Sequence, residues 1–164
     1  MKDSFVIREI QVSDNETVRH IIRKVLEDLG VPKTGSAYED ASLNDMTASY
    51  TGDRKIYYVV EENGIIKGGA GIAPLDNYEG NVCELQKMYF LEELRGKGAG
   101  RKLIIKCLEK AKEWGYEGCY LETMPFMNVA QNMYRSIGFS FLDKRMGDTG
   151  HSACPVWMYK DLTV

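Results

Sequence analysis

The stretch Arg95-Gly96-Lys97-Gly98-Ala99-Gly100-Arg101-Lys102 constrains this chain more than any other. It follows a strand-like run, Val82–Phe90, and opens an amphipathic helix over 98–114 whose Leu103, Ile104, Cys107, Leu108, Ala111 and Trp114 turn inward. Glycines let a backbone turn sharply and approach a ligand closely. The free amides of a helix N-terminus, together with the helix dipole, attract an anion. Arg95, Lys97, Arg101 and Lys102 add positive charge, so the chemistry selected is a phosphate, most readily a diphosphate. Two common phosphate loops fail on spacing. The pattern G-x-x-x-x-G-K-S/T, counted from Gly96, meets Arg101 at its sixth position. The dinucleotide pattern G-x-G-x-x-G meets Arg101 from Gly96 and Leu103 from Gly98.

The elements around this turn order as β-α-α-β-β-β-α-β-α-β-β, a mixed α/β pattern with hairpins first and a βαβ unit later. Residues 5–10 read as a strand. Ser13-Asp14-Asn15-Glu16 reads as a capping box, followed by Val18, Ile21, Ile22, Val25, Leu26 and Leu29 at helical spacing and a stop at Gly30. Residues 31–39 read as a loop and roughly 40–50 as a second, weaker helix. Lys55–Glu61 and 65–74 flank Asn63-Gly64, a strong hairpin signal, although Gly68, Gly69 and Gly71 leave the return strand unusually bare. Cys119–Thr123 reads as a strand. Asn128 is predicted to cap a helix ending at Gly138, and Phe139–Leu142 and Val156–Tyr159 form a last strand pair. With no repeat, linker or low-complexity run, residues 1–164 are expected to form a single domain.

Composition narrows the function classes. A net charge of −3 disfavours a nucleic-acid coat protein. That average conceals a contrast: residues 95–112 carry +6 and the remainder −9. No apolar run is long enough for a membrane span, and the first residues lack a signal-peptide apolar region, so a cytoplasmic location is expected. Cys83, Cys107, Cys119 and Cys154 form no C-x-x-C pair and His20 and His151 are the only histidines. Reduced thiols and no metal are expected.

Two motifs then carry a resemblance. Arg95, Gly98 and Gly100 fit R/Q-x-x-G-x-G/A, and Asn128, Ala130 and Tyr134 with Gly138-Phe139 are similar to the N-x-x-A-x-x-x-Y-x-x-x-G-F pattern about 30 residues downstream. Motifs, interval and element order resemble the GNAT superfamily of N-acetyltransferases over nearly the whole chain. The resemblance implies the GNAT fold, a central twisted, mostly antiparallel mixed sheet flanked by helices. It also implies direct acetyl transfer from acetyl-CoA to a primary amine in a ternary complex. Backbone groups of Met88, Tyr89 and Phe90 would hold the pantetheine, although their side chains serve equally well as core. Arg95 and the loop Gly96, Lys97, Gly98, Ala99, Gly100 and Arg101 would take the pyrophosphate, and Asn128 would cap its helix, contact the cofactor, or both.

By the same resemblance Tyr134 is the general acid for the departing thiolate and Glu84 the candidate base, with Glu122 and His151 as rivals and water as a further one. The acceptor is expected to be a small amine or a peptide amine. The acidic residues between 27 and 53 would favour a cationic one, or would form a solvated surface. No nucleic-acid or membrane partner is expected, and homodimers are common in the family. A catalytically silent acyl-CoA-binding sensor on the same fold is the other reading.

Overall fold

The computed structural model describes residues 4–164. The expected element order is found: β1 (Phe5–Glu9), α1 (Asn15–Asp28), α2 (Met46–Ser49), β2 (Ile56–Glu62), β3 (Ile65–Pro74), β4 (Val82–Phe90), α3 (Ala99–Glu113), β5 (Gly118–Thr123), α4 (Asn128–Ile137), β6 (Ser140–Phe141) and β7 (Val156–Asp161). The strands form one sheet in the order β1-β2-β3-β4-β5-β7-β6, antiparallel throughout except for β4 beside β5. No helix among the described residues is long and apolar enough to cross a membrane.

Both faces of the sheet are covered. Alternate residues of β2 show it: Ile56, Tyr58 and Val60 pack with α3, whereas Tyr57 and Val59 pack with α1. A strand buried on both faces needs a continuous apolar run, which Ile56–Val60 supplies. Gly138, at φ +115, ends α4 through paired bonds, Gly138 N–H to the Arg135 carbonyl and Phe139 N–H to the Tyr134 carbonyl, each 3.0 Å.

Three local expectations are corrected. Ser13 does not cap α1: a short 3-10 turn, Val12–Asp14, precedes it, and the Asp14 carboxylate accepts from the Gln11 amide at 2.7 Å and from Arg8 at 2.8 Å. The buried ion pair claims the residue that a Ser13 box would have placed inside the helix. The helix expected over 40–50 is two short turns, with α2 only four residues long and capped by the Asp45 side chain on the Ala48 amide at 3.0 Å. The chain there follows the α1 surface, burying Leu43 and Met46. Asn128 is the first residue of α4, not its cap. The chain enters from a turn tied by Met127 N–H to the Met124 carbonyl and by the Gln131 side chain to that same carbonyl at 2.7 Å.

The bare strand β3 has a packing reason. Tyr57 lies across it and donates from its hydroxyl to the Lys87 carbonyl on β4 at 2.8 Å. A Cβ at Gly69 would sit 2.6 Å from the Tyr58 carbonyl oxygen and 2.7 Å from the Tyr57 ring, and one at Gly71 would sit 2.5 Å from the Ile56 carbonyl oxygen. At the receiving end β4 is bulged. Gly71 pairs with Gln86 but Gly69 with Tyr89, so β4 carries one extra residue, and Lys87 takes a left-handed φ of +50. Tyr57→Phe should therefore cost about 1–2 kcal/mol, lowering Tm by roughly 2–8 °C for a chain of this size. Gly69→Ala should cost more, because backbone must move. Thermal melts followed by circular dichroism check both, and an unchanged Tm for Gly69→Ala would contradict the close packing.

Candidate active site

Strands β4 and β5 pair only at Val82–Glu84 against Gly118–Tyr120. Beyond that point β5 stays with β7 to Thr123 while the rest of β4, Leu85 to Phe90, bonds only to β3. The strands splay, and a cleft of about 500 Å³ opens between them. The bulge resets the alternation of β4: Glu84 and Gln86, then Tyr89, face the α1 side, whereas Leu85, then Met88 and Phe90, join the α3 core. Its inner end is walled by Val25 and Leu26 of α1, Val31, and Met124 and Met127 after β5. Met88, Tyr89, Phe90, Arg95, Asn128 and Tyr134 all line this cleft.

The glycine turn lies at its α3 end. Gly96 and Gly98 have φ of +80 and +77, a conformation that side-chain-bearing residues rarely adopt. The first helical hydrogen bond of α3 is Lys102 N–H to the Gly98 carbonyl at 3.2 Å, so the amides of Ala99, Gly100 and Arg101 lack helical acceptors. A Cβ at Gly100 would press on Met133 of α4 at 3.2 Å and on Phe90 at 3.4 Å, so this glycine sets how closely α3 meets its neighbours. Three of the turn's cations are already engaged, Lys97 with Glu62 at 2.7 Å, Arg101 with the Ser136 hydroxyl at 3.0 Å and Lys102 over the Phe5 ring at 5.5 Å. Arg95 is exposed beside the cleft.

Tyr134 is buried against Phe139, ring centroids 5.9 Å apart, and no described residue hydrogen-bonds its hydroxyl. Burial, with a smaller contribution from Cys119, pushes the phenol well above its ordinary value, so it stays protonated across the neutral range.

Glu84 occupies the fork itself, at the last paired position of β4, and is 4% exposed. Tyr50 donates to Gln86 Oε1 at 2.6 Å, which orients Gln86 to donate from Nε2 to Glu84 Oε1 at 2.7 Å. Burial raises the Glu84 carboxyl to about 7. The Gln86 hydrogen bond opposes this, the Glu122 charge adds to it, and His151 and Lys87 pull it back. Glu122, one strand over, accepts from Tyr120 at 2.7 Å and from Thr149.

His151 is no exposed loop residue. Its side chain is 18% exposed, and Nε2 lies 2.9 and 3.0 Å from the two oxygens of Asp40. Burial alone would lower the imidazole pKa, but the Asp40 hydrogen bond and charge, with Glu84, raise it. Glu84, Glu122 and His151 present donor atoms within 4.8 Å of one another. Each is already engaged by Gln86, by Tyr120 and Thr149, or by Asp40, and we read them as hydrogen-bonded, proton-exchanging groups.

A second, polar cavity of about 440 Å³ meets the cleft at Glu84, Gln86, Lys87 and His151. Sequence reading missed Lys87 and Gln86, because only the fold brings them to one place with Tyr50. Of the two readings of the acidic residues between 27 and 53, a surface for cations or a solvated one, most of them fit the solvated surface. Glu27 pairs with Tyr38 and Lys33, Asp28 with Lys24, and Asp45 with Asn15. Of the set, Asp40 alone lines either cavity that meets Glu84, and it is held by Lys87 at 3.1 Å as well as by His151.

Residues 20–139 match the model of the acetyltransferase (GNAT) family. The chain belongs to the GNAT family and is an acetyltransferase. It is 40% identical to the N-acetyltransferase YjgM of Escherichia coli K12 over 158 residues, 96% of this chain and 95% of that one. Human N-acetyltransferase 8B is 28% identical over 132 residues, 76% of this chain and 55% of its own length. Among solved structures, a GNAT acetyltransferase from Staphylococcus aureus Mu50 superposes with a TM-score of 0.86 at 23% identity, covering 97% of this chain and 99% of that one. Salmonella typhimurium yncA, solved with acetyl-CoA, gives 0.77 at 18% identity over 98% and 95%.

The shifted carboxyl is directly measurable. In protein labelled with 13C at glutamate carboxyls, the Glu84 resonance should titrate with a midpoint about 7, and Glu122→Gln should lower that midpoint by removing a neighbouring negative charge. A midpoint at the ordinary glutamate value of about 4.3 would show that the fork is wet and that Glu84 is no pre-set base.

Proposed function

We propose that residues 1–164 act as one catalytic domain that moves the acetyl group of acetyl-CoA directly to a primary amine, either a small molecule or a peptide amine. The observation that carries this reading is the fork between β4 and β5. It brings a buried carboxyl poised near neutrality and an unpartnered phenol onto one cleft, which reaches Arg95 and abuts the amide-rich helix start through Phe90 and Met133, both close to Gly100. Acetyl-CoA in the superposable yncA structure supports the cofactor assignment.

Arg95 and the amides of Gly96, Lys97, Gly98, Ala99, Gly100 and Arg101 take the pyrophosphate, a role for which backbone N–H groups at a helix N-terminus suit. Asn128 flanks the same channel. Backbone groups along Met88, Tyr89 and Phe90 lack a β5 partner and hold the pantetheine, with an amide there polarising the thioester carbonyl. The acceptor enters through the second cavity, which adjoins Glu84 and His151.

The arriving ammonium gives one proton to Glu84. The neutral amine forms a C–N bond to the carbonyl carbon, and the carbonyl π pair moves onto oxygen. Collapse breaks the C–S bond, sulfur keeps the pair, and Tyr134 protonates it. The remaining nitrogen proton restores the phenol. Burial weakens Tyr134 as an acid but equally destabilises a thiolate leaving into the same dry cleft, so the transfer stays matched. Because the base form of Glu84 is needed, activity should rise with pH through about 7.

Release of free coenzyme A from acetyl-CoA tests the reading against a panel of spermidine, phenethylamine and an alanine tripeptide. Tyr134→Phe should keep coenzyme A binding and lower kcat on the order of a hundredfold. Wild-type turnover by this variant would remove Tyr134 from the mechanism. Glu84→Gln should abolish the pH limb near 7.

A further inference from the structure

The proposed reaction leaves Glu84 with a proton at each turnover, at a carboxyl that is 4% exposed, has one oxygen held by Gln86 and borders both cavities. Something must carry that proton out. A carboxylate only accepts, so the two contacts between His151 Nε2 and Asp40 fix Nε2–H as the donor and leave Nδ1 as the free, basic nitrogen. Nδ1 lies on the carboxylate side, 4.0 Å from Glu122 Oε1, within the group that also contains Glu84. His151 lines both the cleft and the polar second cavity.

We infer that His151, oriented by Asp40, is the proton relay of this enzyme, taking the proton from Glu84 and delivering it to water in the second cavity. This rests on Glu84 acting as the base. In the step, the Glu84 O–H proton passes to His151 Nδ1, leaving a carboxylate and an imidazolium paired with Asp40. The imidazolium returns the proton from Nδ1 to water and the neutral ring is restored. No electrons change hands, and the net product is the one proton released when an ammonium becomes an amide.

The charges around His151 suit the cycle. Asp40 stands on one side. Glu84 and Lys87 face it from β4, Glu122 from β5 and Cys154 from its own loop. Burial pushes the Asp40 carboxyl up, but the His151 hydrogen bond and then the Lys87 ammonium at 3.1 Å bring it below its ordinary value, so Asp40 stays ionised, a positioning residue and not a proton store. The Ala153 amide donates to the Gly35 carbonyl at 2.9 Å, fixing the loop that carries His151 to the segment that leads to Asp40.

A relay differs from a base in which turnover it limits. With acetyl-CoA and the most reactive amine of the panel, His151→Gln should show a first turnover at the wild-type rate. Its steady-state kcat in weak buffer should fall on the order of tenfold, less than on removing the base itself, with KM for acetyl-CoA unchanged. Added imidazole should restore kcat. Asp40→Asn should behave alike, to a smaller degree. Where it melts early because Lys87 loses its partner, the pair Asp40→Asn with Lys87→Gln replaces it.

The relay is overturned if kcat of His151→Gln equals wild type, if imidazole does not rescue it, or if its first turnover is equally slow. Glu84→Gln separates the two levels. Wild-type turnover there overturns the base and the relay together, whereas an impaired Glu84→Gln beside a fully active His151→Gln overturns the relay alone. If no amine of the panel is acetylated, both fall.

Discussion

The site depends on one hydrogen bond laid across a strand. Tyr57 reaches from β2 over β3 to the Lys87 carbonyl on β4, and it can do so because Gly69 and Gly71 present no side chains beneath it. The bond holds Lys87 in a left-handed conformation that a lysine would otherwise avoid, at the one position where β4 carries an extra residue. Without the bulge, strict alternation along β4 would carry Met88 to the face of Glu84 and Gln86 and Tyr89 away from it. The bulge also bends β4 away from β5 just after Glu84. A buried tyrosine and two glycines outside the cleft thus decide that a cleft exists and which side chains it receives.

The electrostatics of the fork follow from the same geometry. Burial is the largest influence on Glu84, and the Glu122 charge reinforces it; the Gln86 hydrogen bond, His151 and Lys87 offset part of both. The balance leaves the carboxyl close to neutrality, where a general base is most effective. Each compensating group comes from a different element. Gln86 and Lys87 flank the bulge, Glu122 lies on β5, and His151 comes from the loop before β7, with Asp40 brought over from the segment after α1. No single element could set that value.

Much of the fold was legible because it rests on local signals. The Asn63-Gly64 hairpin, the exact span of β4 and the helix stops at Gly30 and Gly138 all reflect backbone chemistry that neighbours in sequence determine. The motif residues Tyr134 and Arg95 both line the cleft. The misreadings come from side-chain contacts, some local and some distant, that residue type and spacing do not reveal. Ser13 loses the cap because Arg8 draws Asp14 into a bidentate pair. Asn128 loses it to a turn tied by Gln131. The acidic stretch from 27 to 53 could be read as a surface for cations or as a solvated one; Asp40 alone of it reaches the cavities at Glu84, while Glu27 and Asp28 pair with neighbouring lysines. His151 shows the same limit, since its meaning depends on Asp40, 111 residues away.

The two cavities assign opposite physical tasks to neighbouring spaces. The inner end of the cleft is walled by Val25, Leu26, Met124 and Met127, an apolar lining that strengthens charge interactions beside it, and burial keeps Tyr134 protonated. The second cavity is polar and bordered by Asp40, Lys87 and Thr149, the lining that the proposed acceptor and proton route calls for. Glu84, Gln86, Lys87 and His151 form the boundary between them, and all but Gln86 can carry charge. Acyl transfer to an ammonium needs both environments at once: a dry one where the thioester is attacked, and a wet one where the surplus proton leaves. A bulged strand provides that boundary with one extra residue, because it turns consecutive side chains, Gln86 and Lys87, toward the same side of the sheet.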